Sequence, residues 1–246
     1  ASADEVWFEL PIDAATRVQA TTLSLRRGQL PSGRRLASMM SPTETERLRR
    51  AAVSLDCAPD ALDRMQPWMA DLTLSLADDA RAGATASAGA EDEIEALAPA
   101  TARRMAFETA REQIELLAGS PVKDQIAGLE WTVREVKDDP ASYRRVVAEW
   151  MRGDLAGIQR DAIVPLVEAS PTLYDRLIGA RNRRWAKTLA KRLKKPGAIV
   201  VVVGIAHLVG PQGVPALLRA KGFDVEGPIF ETPPEPAPTI ALGSRH

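Results

Sequence analysis

Residues 198–207 read Ala198-Ile-Val-Val-Val-Val-Gly-Ile-Ala-His207. Five consecutive β-branched side chains, Ile199 to Val203, are stiff at χ1 and favour extended backbone. The run is apolar on both faces, the pattern of a strand buried in a parallel sheet. Parallel strands need crossover connections, and the flanks supply helical pattern. Ser170-Pro171 opens a long helix to about Lys194, closed by Lys195-Pro196-Gly197; Val214 to Lys221 forms another, with Gly222 as its stop. The expected fold is α/β and helix-rich, with a small mixed or largely parallel sheet and a large helical insertion.

Working outward, three further strands are expected at Val6–Leu10, Arg104–Glu108 and Phe223–Val225, the last at a sheet edge. Residues 12–41 read as loop or weak hairpin. Capping boxes at Thr43-x-x-Glu46 and Thr109-x-x-Glu112 open helices, and Pro59 and Pro67 suit helix first turns. Residues 81–92 are small and polar and read as a linker. Gly119 and Gly153 end helices, and Pro165 breaks another. One domain over 1–230 is expected, with its helical insertion at about 43–80 and 109–195. Residues 231–246 read as an extended tail ending in a tag remnant, which sets His246 aside.

In 246 residues, 45% are hydrophobic and 26% charged, with a net charge of -1, so nothing calls for a polyanionic partner. The single cysteine, Cys57, rules out an intrachain disulfide and a Cys-based zinc site. No apolar run is long enough to span a membrane. The opening, Ala1-Ser-Ala-Asp-Glu, reads as a trimmed or processed start. The run from Arg181 to Lys195 carries eight cations and no acid, but on a helix these fall mostly on a solvated face, and no aromatic ladder accompanies them. Nucleic acid is therefore not expected as a partner.

Three ionisable groups lie at strand ends: Glu9, Glu108 and His207. In an open parallel sheet, ligands bind beyond the carboxyl ends of strands. A plainer reading makes Glu108 a solvated loop residue or cap and His207 a core imidazole on a backbone carbonyl. Glu9 sits in an apolar run, where a buried carboxylate needs a partner. Gly204, Gly210 and Gly213 bracket His207 and free the backbone to approach a ligand. Leu173, Leu177, Arg181, Trp185 and Leu189 recur every four residues, so Arg181 interrupts an apolar stripe and Asn182 flanks it. Buried polar groups there need partners; Arg181 is expected to be buried and paired with Glu9 or Glu108, as clamp or as site lining.

The last third is similar to the C-terminal signature of the TraB/PrgY/GumN family: Arg181-Asn-Arg-Arg-Trp185, an apolar strand, Gly204-x-x-His207-Leu-x-Gly, and a helix ending at Gly222. Ala3-Asp4 with Glu9, DRMQPWMADLTLS, GAEDEI, MAFETAREQIELL and WMRGD resemble further family segments in order. The resemblance implies a site made from two GxxH motifs and an acidic residue, linked in Tiki-type relatives to metal-dependent peptide cleavage. His207 corresponds to the second GxxH and Glu9 to the acidic position, while the first GxxH is expected upstream of residue 1. On that reading the protein is a peptidase-like hydrolase with a divalent ion in its full-length form, the metal site being incomplete here and the ion absent. Glu9, His207 and Arg181 are the catalytic candidates. His207 and Glu9 are the metal ligands. Asn182, Glu108, Gly204 and Gly210 line the substrate. The alternative is a non-catalytic module holding a peptide or small ligand. The resemblance also implies export in a bacterium, periplasmic or lipid-anchored.

Overall fold

The computed structural model describes residues 3–85 and 89–227; the expected 231–246 tail lies outside them. Its sheet has three parallel strands, β1 (Glu5–Phe8), β2 (Arg103–Ala106) and β3 (Ile199–Val202), in the order β2-β1-β3. Phe8 stands opposite both Ala106 and Val202, so the three carboxyl ends are level. Between β1 and β2 run α1 (Ala14–Arg27), α2 (Pro42–Ser54), α3 (Pro59–Leu62), α4 (Pro67–Arg81) and α5 (Ala90–Leu97). Between β2 and β3 run α6 (Ala110–Ala118), α7 (Val122–Asp138), α8 (Ser142–Arg152), α9 (Leu155–Ile158), α10 (Val164–Ala169), α11 (Pro171–Tyr174) and α12 (Ala180–Arg192). Helix α13 (Val214–Arg219) follows β3. The helix-rich α/β class with a small parallel sheet is as expected.

Strand alternation divides the packing. Val6 and Phe8 face one side, with Val202, Ala102 and Ile94 of α5. Trp7 faces the other, where Phe107 stacks on Trp185 of α12 (centroids 4.8 Å apart) and Leu189 and Val214 complete the layer. Burying each such side chain stabilises the fold by about 1.5–3 kcal/mol. Helices α2, α4 and α7 build a separate core around Leu48, Leu74, Leu129 and Val133, within the expected insertion.

Several elements differ from expectation. The β-branched strand lies at the edge of the described sheet, and Val200 is 36% exposed; the buried centre is β1. β-Branching reports extended backbone and does not by itself report position in a sheet. Residues 14–27 form a helix, not a loop: Asp13 caps it by accepting from the Thr16 N–H. None of its residues is buried, so no apolar stripe marks it. The first capping box is Ser41 with Glu44, because Pro42 takes the first helical position. No strand forms at Phe223–Val225, where the chain leaves α13 past Gly222 (φ +84°) without pairing.

Two widened, π-type turns explain the rest. Gln159–Ile163 precedes Pro165, which opens α10 where a break was expected. A proline has no N–H to give an α-type bond, and the wider turn accommodates that loss. Asp175–Gly179 joins α11 to α12. A stripe recurring every four residues drifts about 40° per step on a 3.6-residue helix. The π turn offsets part of that drift, so Leu173, Arg181, Trp185 and Leu189 are all buried.

Candidate functional site

The level carboxyl ends bring Glu9, Glu108 and His207 to one rim. The backbone N–H groups of Phe107 and Glu108 donate to the carbonyls of Phe8 and Glu9, which extends the β1–β2 pairing past both strands. After β3 the chain turns at Gly204 into a short 3₁₀ segment, Ile205–His207, which drops the imidazole over Trp185 (centroids 4.3 Å apart). A side chain at Gly204 would crowd Glu9: a Cβ there would stand 3.2 Å from Oε1.

Arg181 is the hub. It is 7% exposed, and its Nε bonds both Glu108 oxygens at 3.0 Å. Nη2 donates to Glu9 Oε2 at 2.7 Å and to Glu108 Oε2 at 2.8 Å. Nη1 donates to the Leu177 carbonyl at 2.9 Å and lies 3.0 Å from His207 Nε2. The guanidinium also sits 4.7 Å from the centre of the Trp185 ring. Glu108 is further held by Arg184 Nη2 at 2.9 Å. Such bidentate, charge-assisted bonds are strong ones. The protonated form of Arg181 is reinforced: burial opposes the charge, but the Glu108 and Glu9 carboxylates outweigh it.

These contacts fix the imidazole tautomer. A guanidinium only donates, so Nε2 must accept from Nη1. Nδ1 then carries the proton and donates to Asn182 Oδ1 at 2.6 Å, while Asn182 Nδ2 donates to the Gln212 carbonyl at 2.7 Å. Burial depresses the His207 pKa to about 4, and Arg181 adds to the depression against the pull of Glu9. At neutral pH the ring is uncharged. Glu9 goes the other way from its burial: desolvation alone would raise its pKa, but His207, the Gly204 N–H (2.8 Å from Oε1) and Arg181 together hold it below the usual carboxylate range. Gln113 Nε2 donates to Oε2 at 3.2 Å. The Glu9 side chain remains 23% exposed and lies 3.7 Å from His207 Nε2.

A neutral imidazole and an ionised carboxylate are the protonation states a divalent cation requires. Metal-ligating histidines commonly donate their other ring N–H to an oxygen, as His207 does to Asn182. The donor types therefore fit an ion. Arg181 Nη1, however, uses the single lone pair of Nε2, so that bond and a metal ion exclude each other. Among the described residues no group of three or more His, Cys, Asp or Glu side chains is arranged to hold a metal.

Glu9, Glu108, Arg181, Asn182, His207 and Gly204 thus converge. Asn182 and Glu108, expected to line the substrate, are 0% and 5% exposed and here bond His207 and Arg181 respectively. Gly210 has φ +81° and faces Gln159, not the carboxylates, so it serves the turn. Gln113, Arg184 and the Gln212 carbonyl were not anticipated as parts of the site. Gln113 follows the Thr109 cap by one helical turn, a spacing that aims it back at the strand ends.

The chain is 25% identical over 191 residues to "Uncharacterized protein YbaP" of Escherichia coli (strain K12), covering 77% of this chain and 70% of that one. The protein of the same name in Shigella flexneri matches to the same extent. No solved structure matches. No helix among the described residues is long and apolar enough to cross a membrane. The sequence model of the TraB/PrgY/gumN family matches residues 1–227, nearly the whole chain with every rim residue inside it, and the chain belongs to that family.

Proposed function

We propose that the protein is a metal-dependent, peptidase-like hydrolase whose catalytic centre is the Glu9–His207–Arg181 rim. One observation carries the reading: Asn182 holds Nδ1–H, so that Nε2 of a neutral His207 is the acceptor, now taken by Arg181 Nη1, beside an ionised, partly exposed carboxylate, and a metal ion would replace that one bond. His207 and Glu9 would hold the ion, which when bound polarises a carbonyl and lowers the pKa of a water. The proposal needs a further donor, and the family resemblance points to a GxxH segment ahead of β1. Arg181 keeps Glu9 ionised and, once its Nη1 leaves Nε2, offers an N–H to a developing oxyanion. Glu108 anchors Arg181 throughout. Export from a bacterial cytoplasm belongs to the same proposal and rests on the resemblance alone.

The test is hydrolysis of a quenched-fluorescent peptide library by the full-length gene product, with Zn²⁺, Mn²⁺ or Co²⁺ added or chelated, alongside His207→Ala. Metal-dependent turnover lost in the variant supports the reading; turnover indifferent to chelator and variant overturns it. A second reading has its own support: Arg181 already fills the lone pair of Nε2, as in a binding module that never takes an ion. Retention of peptide without cleavage, unaffected by metal, would favour it.

A further inference from the structure

Away from the rim, α2 and α7 enclose a cavity of about 580 Å³, within the usual range for small-molecule sites of roughly 300–1,000 Å³. Its floor is apolar and buried: Ala51, Val133 and Val136 are each 5% exposed or less. Its walls are cationic. Arg47 and Arg50 project from α2, Arg134 and Lys137 from α7, and Arg81 closes one end from the last turn of α4. The i, i+3, i+4 spacing of Arg47, Arg50 and Ala51, and of Val133, Val136 and Lys137, puts each wall and its floor on one helix face.

Four of these cations already hold a carboxylate. Arg47 bonds Glu130 at 3.0 Å, Arg50 bonds Glu46 at 2.7 Å, Arg81 bonds Asp78 at 2.6 Å, and Lys137 lies 3.2 Å from Asp138. Each of the three arginines spends one nitrogen on its carboxylate, and a guanidinium has five N–H donors, so donors remain on every one. The Arg134 side chain makes no hydrogen bond or salt bridge with any described residue, though its charge acts on the nearby Glu130 carboxylate. Asp138, the one carboxylate in the lining, is the one paired to Lys137.

We propose that this groove binds an amphiphilic anion, a phosphate or carboxylate head on a short apolar body. The head would sit on Arg134 with Arg50 and Arg81, and the body on the Ala51–Val133–Val136 floor. Exposed cations round an apolar floor complement that chemistry and no neutral ligand.

The experiment is calorimetric titration of the full chain with octyl phosphate, octyl glucoside and inorganic phosphate, repeated with Arg134→Glu. Octyl phosphate should bind, octyl glucoside should not, and inorganic phosphate alone should bind more weakly. Arg134→Glu should weaken octyl phosphate by about ten-fold, the usual worth of a hydrogen bond to a charged group. Raising NaCl should weaken the wild type progressively. Equal binding of octyl phosphate and octyl glucoside would overturn the anion assignment. No binding by octyl phosphate, or full affinity in a folded Arg134→Glu, would overturn the site. The salt series reads the same claim on wild type, should the variant fail to fold.

Discussion

The two ends of the sheet each carry a carboxylate buried against arginines, and only one of them looks like a site. At the amino end, Glu5 is 2% exposed and receives Trp7 Nε1 and Arg192 Nε, both at 2.8 Å, together with Arg103. Burial works to raise its pKa, but those three donors hold it low. Every oxygen of Glu5 is taken, Oε1 by Arg103 and Oε2 by Trp7 and Arg192. At the carboxyl end Glu108 is saturated in the same way, but Glu9 keeps exposed surface and a neutral imidazole stands beside it. Burial and ion pairing therefore do not mark a site on their own. What marks it is residual capacity held in a fixed orientation.

The comparison breaks most directly at the catalytic candidates. Glu9→Gln and His207→Ala each remove a proposed ligand of the ion that would activate the water, and each should reduce peptide hydrolysis by at least about 10²-fold. Steady-state rates check this, and Glu5→Gln, measured per folded molecule, should leave them unchanged. If Glu5→Gln abolished turnover, the two ends would not be functionally distinct.

Next in size is stability. Arg192→Met takes from Glu5 its buried guanidinium and leaves it Trp7 and the exposed Arg103; it should cost at most about 3–5 kcal/mol in urea unfolding, and Arg181→Met at the other end about the same. Only Arg181→Met should also stop hydrolysis by the molecules that remain folded.

Asn182→Ala removes the group that orients His207 without touching Nε2. It should weaken metal binding or turnover by about 10–100-fold, as is usual for partners behind a metal ligand. Asn182→Asp, which keeps an acceptor at Oδ1, should recover part of that loss.

The smallest effect is in the pH profile. A histidine whose folded pKa lies near 4 stabilises the fold fully above the unfolded value of about 6.5. That contribution is lost as pH falls from 6.5 towards 4, because the unfolded chain takes up the proton first. Glu9, with its folded pKa lowered, adds acid sensitivity of the same sign at lower pH. Wild type minus His207→Gln should therefore show a stability difference that shrinks across pH 6.5 to 4. Direct titration of the imidazole by NMR is simple, since the chain has two histidines; a His207 titrating near 6.5 would refute the buried neutral ring.

Much of this was legible in the sequence because the signals are local. Thr109 with Glu112, Pro67, Gly153 and the run from Ile199 act through their own backbone. The convergence of Glu9 with His207 was legible through topology, since parallel strands level their carboxyl ends. What was hidden is what depends on partners distant in sequence. Helix α1 buries nothing, so periodicity could not show it. The edge position of β3 depends on which strands it meets, and its composition is that of a central strand. Asn182 flanks an apolar stripe and Glu108 ends a strand, and neither position reveals from sequence that the one bonds His207 and the other Arg181.

The π turn at Asp175–Gly179 makes chain length part of the site. Substitutions inside it change side chains but keep the count of residues between Leu173 and Arg181. Removing one residue would turn everything beyond it by about 100° around the helix axis, one α-helical step. Arg181 would swing away from Glu108, and Asn182 from His207. In related sequences this segment should therefore accept exchanges of residue far more readily than insertions or deletions, even though this helix first reaches the rim carboxylates only beyond it, at Arg181.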